Sequence, residues 1–153
     1  MIRETAGIFL FNKDKKMLIV HPTNHPQNVW SIPKGNIELG EDSLSAAIRE
    51  LKEETSLIFK NIKIDNISEE ITMKYRSGKK ILKAYIVYSY EDLYNFKFEC
   101  NSFVYYLNRK KIKKPFPECD KFKWASLEEA KVVLHEAQIR VLNLIIKEND
   151  KRK

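Results

Sequence analysis

Ser43-Leu44-Ser45-Ala46-Ala47-Ile48-Arg49-Glu50-Leu51-Lys52-Glu53-Glu54-Thr55-Ser56 is the stretch whose reading decides the fold. Leu44, Ala47, Ile48 and Leu51 follow the i, i+3, i+4, i+7 spacing of an amphipathic helix. Asp42 or Ser43 stands where a capping side chain is needed, and the helix is expected to end near Ser56. Successive residues advance by roughly 100°, so Glu50, Glu53 and Glu54 fall in one sector roughly 100° wide, opposite the apolar stripe. Ala46, one turn earlier on the acidic side, leaves room for an approaching group. Like charges at this spacing destabilise a helix by roughly a few tenths of a kcal/mol per pair unless something positive lies between them. Hard divalent cations would supply that charge. Magnesium prefers oxygen ligands, keeps several waters and shares its shell between a few carboxylates and substrate phosphates. The bland alternative is a solvated acidic face with Arg49 and Lys52 as its salt-bridge partners.

Working outward, Ala6 to Phe11 and Met17 to His21 flank the polar turn Asn12 to Lys16 and read as a β-hairpin. His21 to Asn28 is a loop by its prolines and turn formers, a plausible pocket rim, and Val29 to Ile32 reads as a short strand. Beyond the helix, strand-like runs lie at Ile62 to Ile71, Ile81 to Tyr90 and Ser102 to Leu107. The second has the β-branched and aromatic content of a central strand. Arg76 to Lys79 makes the turn between the first two. Ser126-Leu127-Glu128-Glu129 is a capping box opening a helix. A further amphipathic stretch from Glu136 carries Ile139, Leu142, Ile145 and Ile146 on one stripe, before a basic tail expected to fray from Lys147 to Lys153. Strands interspersed with helices in this way give an α/β (α+β) protein with a mixed sheet between helices.

With 153 residues, 43% of them hydrophobic, the chain can build one core, and residues 1–153 read as a single domain. No apolar run approaches the roughly 20 residues of a membrane helix, and the start lacks the order of a secretory signal, so a soluble cytoplasmic protein without membrane partners is expected. Cys100 and Cys119 read as free thiols, with no zinc-type spacing around them. The net charge of +7 favours anionic partners, although a solvated lysine surface accounts for it equally well. Arg109 to Lys114 is the one segment dense enough to suggest a nucleic-acid footprint.

Extended to both sides, the helix lies inside the string Gly35-x5-Glu41-x7-Arg49-Glu50-Leu51-x-Glu53-Glu54-x-Ser56-Leu57. This resembles the Nudix box, G-x5-E-x7-R-E-U-x-E-E-x-G-U with U aliphatic. It agrees at every charged position, at the first glycine and at both aliphatic positions, which makes it specific where a bare E-x-x-E-E is not. Ser56 stands in place of the family's second glycine, at a position where a left-handed residue often closes the helix, and it touches no ligand role. The resemblance implies a Nudix fold. It also implies that Glu50, Glu53 and Glu54 bind metal, Mg2+ with Mn2+ as a substitute, and that the Gly35 carbonyl adds a ligand. Glu41 and Arg49 would support them, Arg49 by pairing with a neighbouring glutamate and fixing its rotamer.

The likeness continues past the box. Trp30-Ser31-Ile32-Pro33-Lys34-Gly35-Asn36-Ile37-Glu38 resembles the W-S-x-P-K-G-x-x-E lead-in of the branch that includes the diadenosine tetraphosphate hydrolases, whereas bacterial RNA pyrophosphohydrolases usually carry glutamine where Lys34 stands. Phe116-Pro117-Glu118-Cys119-Asp120, Trp124, Leu127 to Ala130 and Gln138 resemble the tail of small Nudix proteins of nucleotide pyrophosphohydrolase type. In such enzymes a glutamate just before a tryptophan strand binds metal or takes a proton from water. Glu118 occupies that place, with Glu99 as the weaker alternative and a plain loop carboxylate as the bland reading.

Lys34 and Lys80 are the candidate phosphate contacts, against the ordinary reading of solvated lysines. Lys83 flanks the same strand segment as Lys80. Trp30, Tyr85 and Tyr75 are candidates to stack a base, although buried aromatics more often pack a core. His21, His25 and His135 read as surface histidines.

The expected reaction is metal-assisted attack of water on a phosphoanhydride bond of a nucleoside diphosphate derivative, with Glu118 or Glu53 as general base. Dinucleoside polyphosphates and nucleoside triphosphates are the favoured substrates. Removal of a 5′ pyrophosphate or cap from RNA is the second enzymatic reading, and a non-catalytic nucleotide-sensing module is the rival outside enzymology. Monomer and homodimer are both left open.

Overall fold

The computed structural model describes residues 1–105, 107–108, 111–112 and 115–151, with 107–108 and 111–112 as backbone only. Arg109, Lys110, Lys113 and Lys114, most of the basic segment, lie outside the described residues. Strands β1 (Arg3–Phe11) and β2 (Met17–Pro22) form the expected hairpin, paired at Phe11 and Met17. Next come β3 (Lys34–Asn36), helix α1 (Ser43–Thr55), β4 (Ile64–Ile67), β5 (Ile71–Lys74) and β6 (Lys80–Ser89). The short strands β7 (Phe103–Val104), β8 (Leu107–Asn108), β9 (Lys111–Ile112) and β10 (Phe116–Pro117) lead into β11 (Cys119–Ala125), α2 (Leu127–Val133) and α3 (Glu136–Lys151). Helix α3 thus carries on through Lys151, within the stretch expected to fray.

The main sheet runs β11-β2-β1-β6-β4, with β3 beside β1 and β5 beside β6. It is mixed: β1 and β6 are parallel, from Arg3 opposite Lys80 to Phe11 opposite Tyr88, and the other pairings are antiparallel. A parallel pair in mid-sheet needs apolar cover on both faces. Strand β1 supplies it by alternation, with Phe9 and Phe11 packing against α2 and α3 while Ile8 and Leu10 pack toward α1. The mixed sheet between helices is therefore the architecture observed. Among the described residues no helix is long and apolar enough to cross a membrane.

Two expected strands are redrawn by side chains that take up ladder positions. The run from Ile62 to Ile71 is split into β4 and β5, because the Ser68 hydroxyl accepts from the Ile86 N–H (2.8 Å) while the Ser68 N–H donates to the Ile86 carbonyl (2.8 Å). Val29 to Ile32 forms only an isolated bridge, Val20 to Ser31, and the strand on β1 is Lys34–Asn36 instead. Of Ser102 to Leu107, only Phe103–Val104 pairs with β10, in a separate small sheet.

Helix α1 starts as read, with Asp42 accepting from the Ser45 N–H at 2.7 Å. It closes at Ser56, which is left-handed at φ 71°. A side chain there costs about 1 kcal/mol relative to glycine, but this serine is employed. Its hydroxyl donates to the Glu99 carbonyl (2.7 Å) and accepts from Asn101 Nδ2 (2.8 Å), tying the helix end to the segment before β7. Ser56→Ala keeps the strain and discards both bonds, and is expected to lower the unfolding free energy by about 1 kcal/mol. Ser56→Gly discards the bonds but relieves the strain, and is expected to stay within about 0.5 kcal/mol of wild type. Urea denaturation of the three proteins measures this, and an alanine variant as stable as the glycine variant would contradict it.

Candidate active site

Strand β3 brings Lys34 and Gly35 onto α1 through its register on β1, Gly7 opposite Lys34 and Ala6 opposite Gly35. The contact is close. A Cβ built on Gly35 would lie 2.1 Å from the Glu50 carboxyl carbon, so only glycine lets the backbone approach that side chain. One residue earlier, the Lys34 N–H donates to Glu54 Oε2 at 3.3 Å.

The carboxylate face is not opposite the core. Helix α1 buries Ala46, Ala47, Glu50, Leu51, Glu54 and Thr55, so Glu50 and Glu54 lie within its buried arc, each only 7% exposed. Ala46, expected to leave room on the acidic side, is fully buried in the core instead. The reason is β3, which covers the helix where the sequence pattern suggested open solvent. Glu53 points outward, with its side chain 39% exposed.

Arg49 binds this cluster together. Its Nε and Nη2 hold both oxygens of Glu41 at 2.8 and 3.0 Å, and Nη1 reaches Glu50 Oε1 at 2.9 Å and Glu53 Oε2 at 3.2 Å. Nη2 also donates to the Asn36 carbonyl at 2.9 Å. The rotamer-fixing pairing expected of it is thus made to several glutamates at once. Glu41 in consequence has its carboxyl held below the usual range, chiefly by the bond from Arg49.

Glu118 lies immediately before β11. Its backbone is tied on both sides, the N–H to Ser102 (2.8 Å) and the carbonyl accepting from Thr23 (3.0 Å). Its charge raises the carboxyl groups of both Glu50 and Glu54, so the loop glutamate and the helix glutamates share one site. Glu99 is bound into the α1 terminus, with its N–H on Thr55 O at 3.2 Å.

Part of this cluster borders a cavity of about 640 Å³. Glu54 and Glu118 line it together with Lys34 and Lys80, and Trp30, Tyr75 and His135 add aromatic surface. The Lys80 ammonium lies 5.3 Å from the centre of the Tyr75 ring, and His135 stacks obliquely on the same ring at 4.9 Å. Burial first, then Lys34 and Arg3, lower the Lys80 pKa, which places the cations within reach of one another. His135 is lowered by burial first, with Lys34 and Lys80 among the further causes. Trp30 donates its indole N–H to the Gln27 carbonyl at 2.9 Å.

Two expectations are corrected, those for Tyr85 and His21. Tyr85 packs in the core between the sheet and α1, with its hydroxyl 2.6 Å from Ser43 Oγ, so it cannot stack a base in the cavity. Lys83 points to the same side as Tyr85 and pairs with Glu4 at 3.3 Å, leaving Lys80 alone of the two on the cavity. His21 is not on the surface. It is 3% exposed, with Nδ1 2.6 Å from Asp120 and Nε2 3.0 Å from the Pro26 carbonyl, and so it pins the loop that rims the cavity. Sequence reasoning missed His135 and Gln138 as lining residues. Only for Gln138 was there a signal, a polar residue one position before the expected apolar stripe of α3.

Among the described residues no three acidic, cysteine or histidine side chains converge into a ready metal cage. Buried carboxylates beside a glycine backbone suit a hard ion that keeps waters and takes further oxygens from a bound polyanion.

Compared with known proteins, residues 1–144 match the sequence model of the NUDIX domain. The chain belongs to the Nudix hydrolase family. A Nudix relative, the RNA pyrophosphohydrolase of Pelagibacter ubique, is 32% identical over 127 residues, covering 83% of this chain and 78% of that protein. The asymmetrical bis(5′-nucleosyl)-tetraphosphatase of Caenorhabditis elegans is 31% identical over 81 residues, 52% of this chain and 59% of that one. The crystal structure of a C. elegans Ap4A hydrolase binary complex superimposes with a TM-score of 0.63 at 22% identity, covering 96% and 98% of the two chains, a likeness of fold. Divalent cations are the general cofactors of the Nudix family.

Burial, followed by neighbouring carboxylates, raises Glu50 and raises Glu54 further above the ordinary carboxylate range in the metal-free Nudix domain. A folded-state pKa above the unfolded value means the fold favours the protonated form. Their contribution is therefore fully present below the unfolded pKa of about 4.3 and lost as pH rises through the raised folded values. Glu41, Asp42, Glu129 and Glu136 are shifted the other way, so the difference between variants carries the test. In chelator, wild type is expected to lose thermal stability relative to Glu54→Gln as pH rises above the unfolded carboxylate value of about 4.3. Added divalent cation is expected to recover the loss at the higher pH only. Parallel melting profiles for the two proteins would count against the electrostatic account.

Proposed function

We propose that this protein hydrolyses a phosphoanhydride bond of a nucleoside polyphosphate with Mg2+, Mn2+ substituting, in the cavity lined by Glu54, Glu118, Lys34 and Lys80. The observation that carries this reading is the presence of both carboxylates and lysines on one cavity. A polyphosphate needs cations along its length, and the reacting phosphorus needs neutralisation before water can approach it. Lys34 and Lys80 are placed to hold phosphate oxygens. Glu50, Glu53 and Glu54, with the Gly35 carbonyl, are the groups that would hold the cation, which when bound screens phosphate charge and lowers the pKa of bound water. Glu118 lines the cavity and Glu53 does not, which favours Glu118 as the base that takes the proton of the attacking water. Arg49 and Glu41 act through the glutamates they hold. Trp30 lines the same cavity and supplies an apolar face for a base. Two unpaired thiols, Cys100 and Cys119, accord with a cytoplasmic setting.

Dinucleoside polyphosphates and nucleoside triphosphates are the substrates we favour, on the lysine at position 34 and the tetraphosphatase relative. A second reading, removal of a 5′ pyrophosphate from RNA, is favoured by the longer match to the RNA pyrophosphohydrolase relative. Ionic strength separates them. An RNA substrate gripped at several phosphates should lose kcat/KM steeply with salt, whereas a small nucleotide should show a shallow dependence.

Assays with Mg2+ over dinucleoside polyphosphates, nucleoside triphosphates and 5′-triphosphate RNA are expected to find turnover with at least one of these classes. Glu118→Gln and Glu53→Gln should each lose about 10²–10⁴-fold in kcat, Glu118→Gln more in the base-catalysed limb of the pH profile. Activity in Glu53→Gln equal to wild type would refute the mechanism. In Gly35→Ala the added methyl can be relieved only by moving Glu50 away, since it would overlap that carboxylate. The variant is expected to remain folded by circular dichroism while its half-saturating Mg2+ concentration rises about tenfold or more. An unchanged Mg2+ titration would remove Gly35 and Glu50 from the cation site.

A further inference from the structure

Gln138 lies in α3 with none of its surface exposed, next to the buried Val141 and Leu142. A primary amide in such surroundings is unfavourable unless its polar atoms are used. Both are. Its Oε1 accepts from the Ile32 N–H at 3.1 Å and its Nε2 donates to Ser31 Oγ at 3.1 Å. The backbone donor at Ile32 settles which end of the amide is oxygen. Ser31 Oγ in turn donates to the Ile32 carbonyl at 2.7 Å, so both backbone groups of Ile32 are satisfied by this small network.

On its other edge the same segment is held by backbone alone. Ser31 exchanges both bonds with Val20, at 2.7 and 2.9 Å, and the Pro33 carbonyl accepts from Ile8 at 3.1 Å. Ser31 therefore faces β2, whereas from Lys34, opposite Gly7, the chain pairs with β1. Ile32 stands between the two ladders, and its N–H goes to the amide of Gln138 instead of to a strand. Immediately downstream come Lys34, whose N–H meets Glu54, and Gly35, whose backbone presses on Glu50.

We propose that Gln138 is a positioning residue: by standing in for the missing ladder partner of Ile32, it sets where Lys34 and Gly35 meet the carboxylates of Glu54 and Glu50. This rests on the hydrolase reading above for its effect on rate, but its structural half does not. Small displacements of positioning groups lower turnover more than they lower binding or folding.

The test pairs Gln138→Leu, which keeps the volume and removes both hydrogen bonds, with Ser31→Ala, which leaves the bond to Ile32. Backbone amide exchange is followed by NMR, and kcat and KM are measured well below each melting temperature. Gln138→Leu is expected to speed exchange at Ile32 and Lys34 by about tenfold or more, and to lower kcat by about tenfold or more with KM changed less than about threefold. Ser31→Ala should stay within about threefold of wild type in kcat. Gln138→Leu with wild-type exchange at Lys34 and wild-type kcat overturns the proposal, as does a lowered melting temperature with unchanged kcat. Should Gln138→Leu fail to fold, the wild-type protein decides. An Ile32 amide exchanging as fast as the loop residue Asn28 refutes the bond, and a protected one sustains it. A wild type without turnover sinks the hydrolase reading and leaves this inference to the exchange rates, which need no substrate.

Discussion

The burial of two like-charged side chains, Glu50 and Glu54, against the backbone of β3 is the constraint on which the rest of the site depends. Carboxylates are seldom buried without a partner, because loss of hydration disfavours the ionised form. Here the sheet imposes that burial. Antiparallel pairing of β3 on β1 lays Lys34 and Gly35 across α1, and the missing side chain at Gly35 lets the strand descend until it touches Glu50. A larger residue at 35 would hold the two elements apart. The fold thus stores an electrostatic imbalance at one place, and a cation is the simplest group that relieves it.

Arg49 keeps that imbalance from dispersing the cluster. A guanidinium has its donors in a rigid fork, and those of Arg49 are spread over Glu41, Glu50, Glu53 and the Asn36 carbonyl. Glu41 lies before the helix and Asn36 in β3, so one side chain spans strand, loop and helix. Lysine could offer charge at this point but not the spread of directions. The interaction is only partly buried, and its importance is geometric: it fixes carboxylate rotamers before any ligand arrives. Glu54 has no such partner, depends on the Lys34 N–H and its own desolvation, and shows the larger upward displacement.

The helix, its Asp42 cap and its end at Ser56 were legible because spacing and capping are local properties. So was the pairing of the first two strands around a polar turn. What stayed hidden depended on tertiary contact. Helical periodicity places Glu50 and Glu54 in one sector with Glu53, yet only the position of β3 tells that two of them are buried and the third is not. Tyr75, just past the end of β5, and Tyr85, within β6, are the same residue type. Tyr85 meets Ser43 and Tyr75 lines the cavity, a difference of tertiary placement that aromatic content does not reveal. Ser68 and Ser31 both fall inside runs that read as strands, and each marks a point where a side chain takes up a backbone bond of the ladder.

The charged groups on the cavity come from four separate elements of the fold. Glu54 belongs to α1 and Glu118 to the approach to β11, whereas Lys80 opens β6 and leans on Tyr75 and Lys34 leaves β3. Had the lysines paired directly with the glutamates, the site would be a closed network with little to offer a polyanion. Among the described residues, neither Lys34 nor Lys80 has a carboxylate within ion-pair distance, and the Lys80 ammonium lies over the Tyr75 ring. Separation of this kind leaves both charge types underused in the free protein. A ligand that is itself negative, and that arrives with a cation, would engage both charge types together, which a neutral metabolite of the same size cannot do.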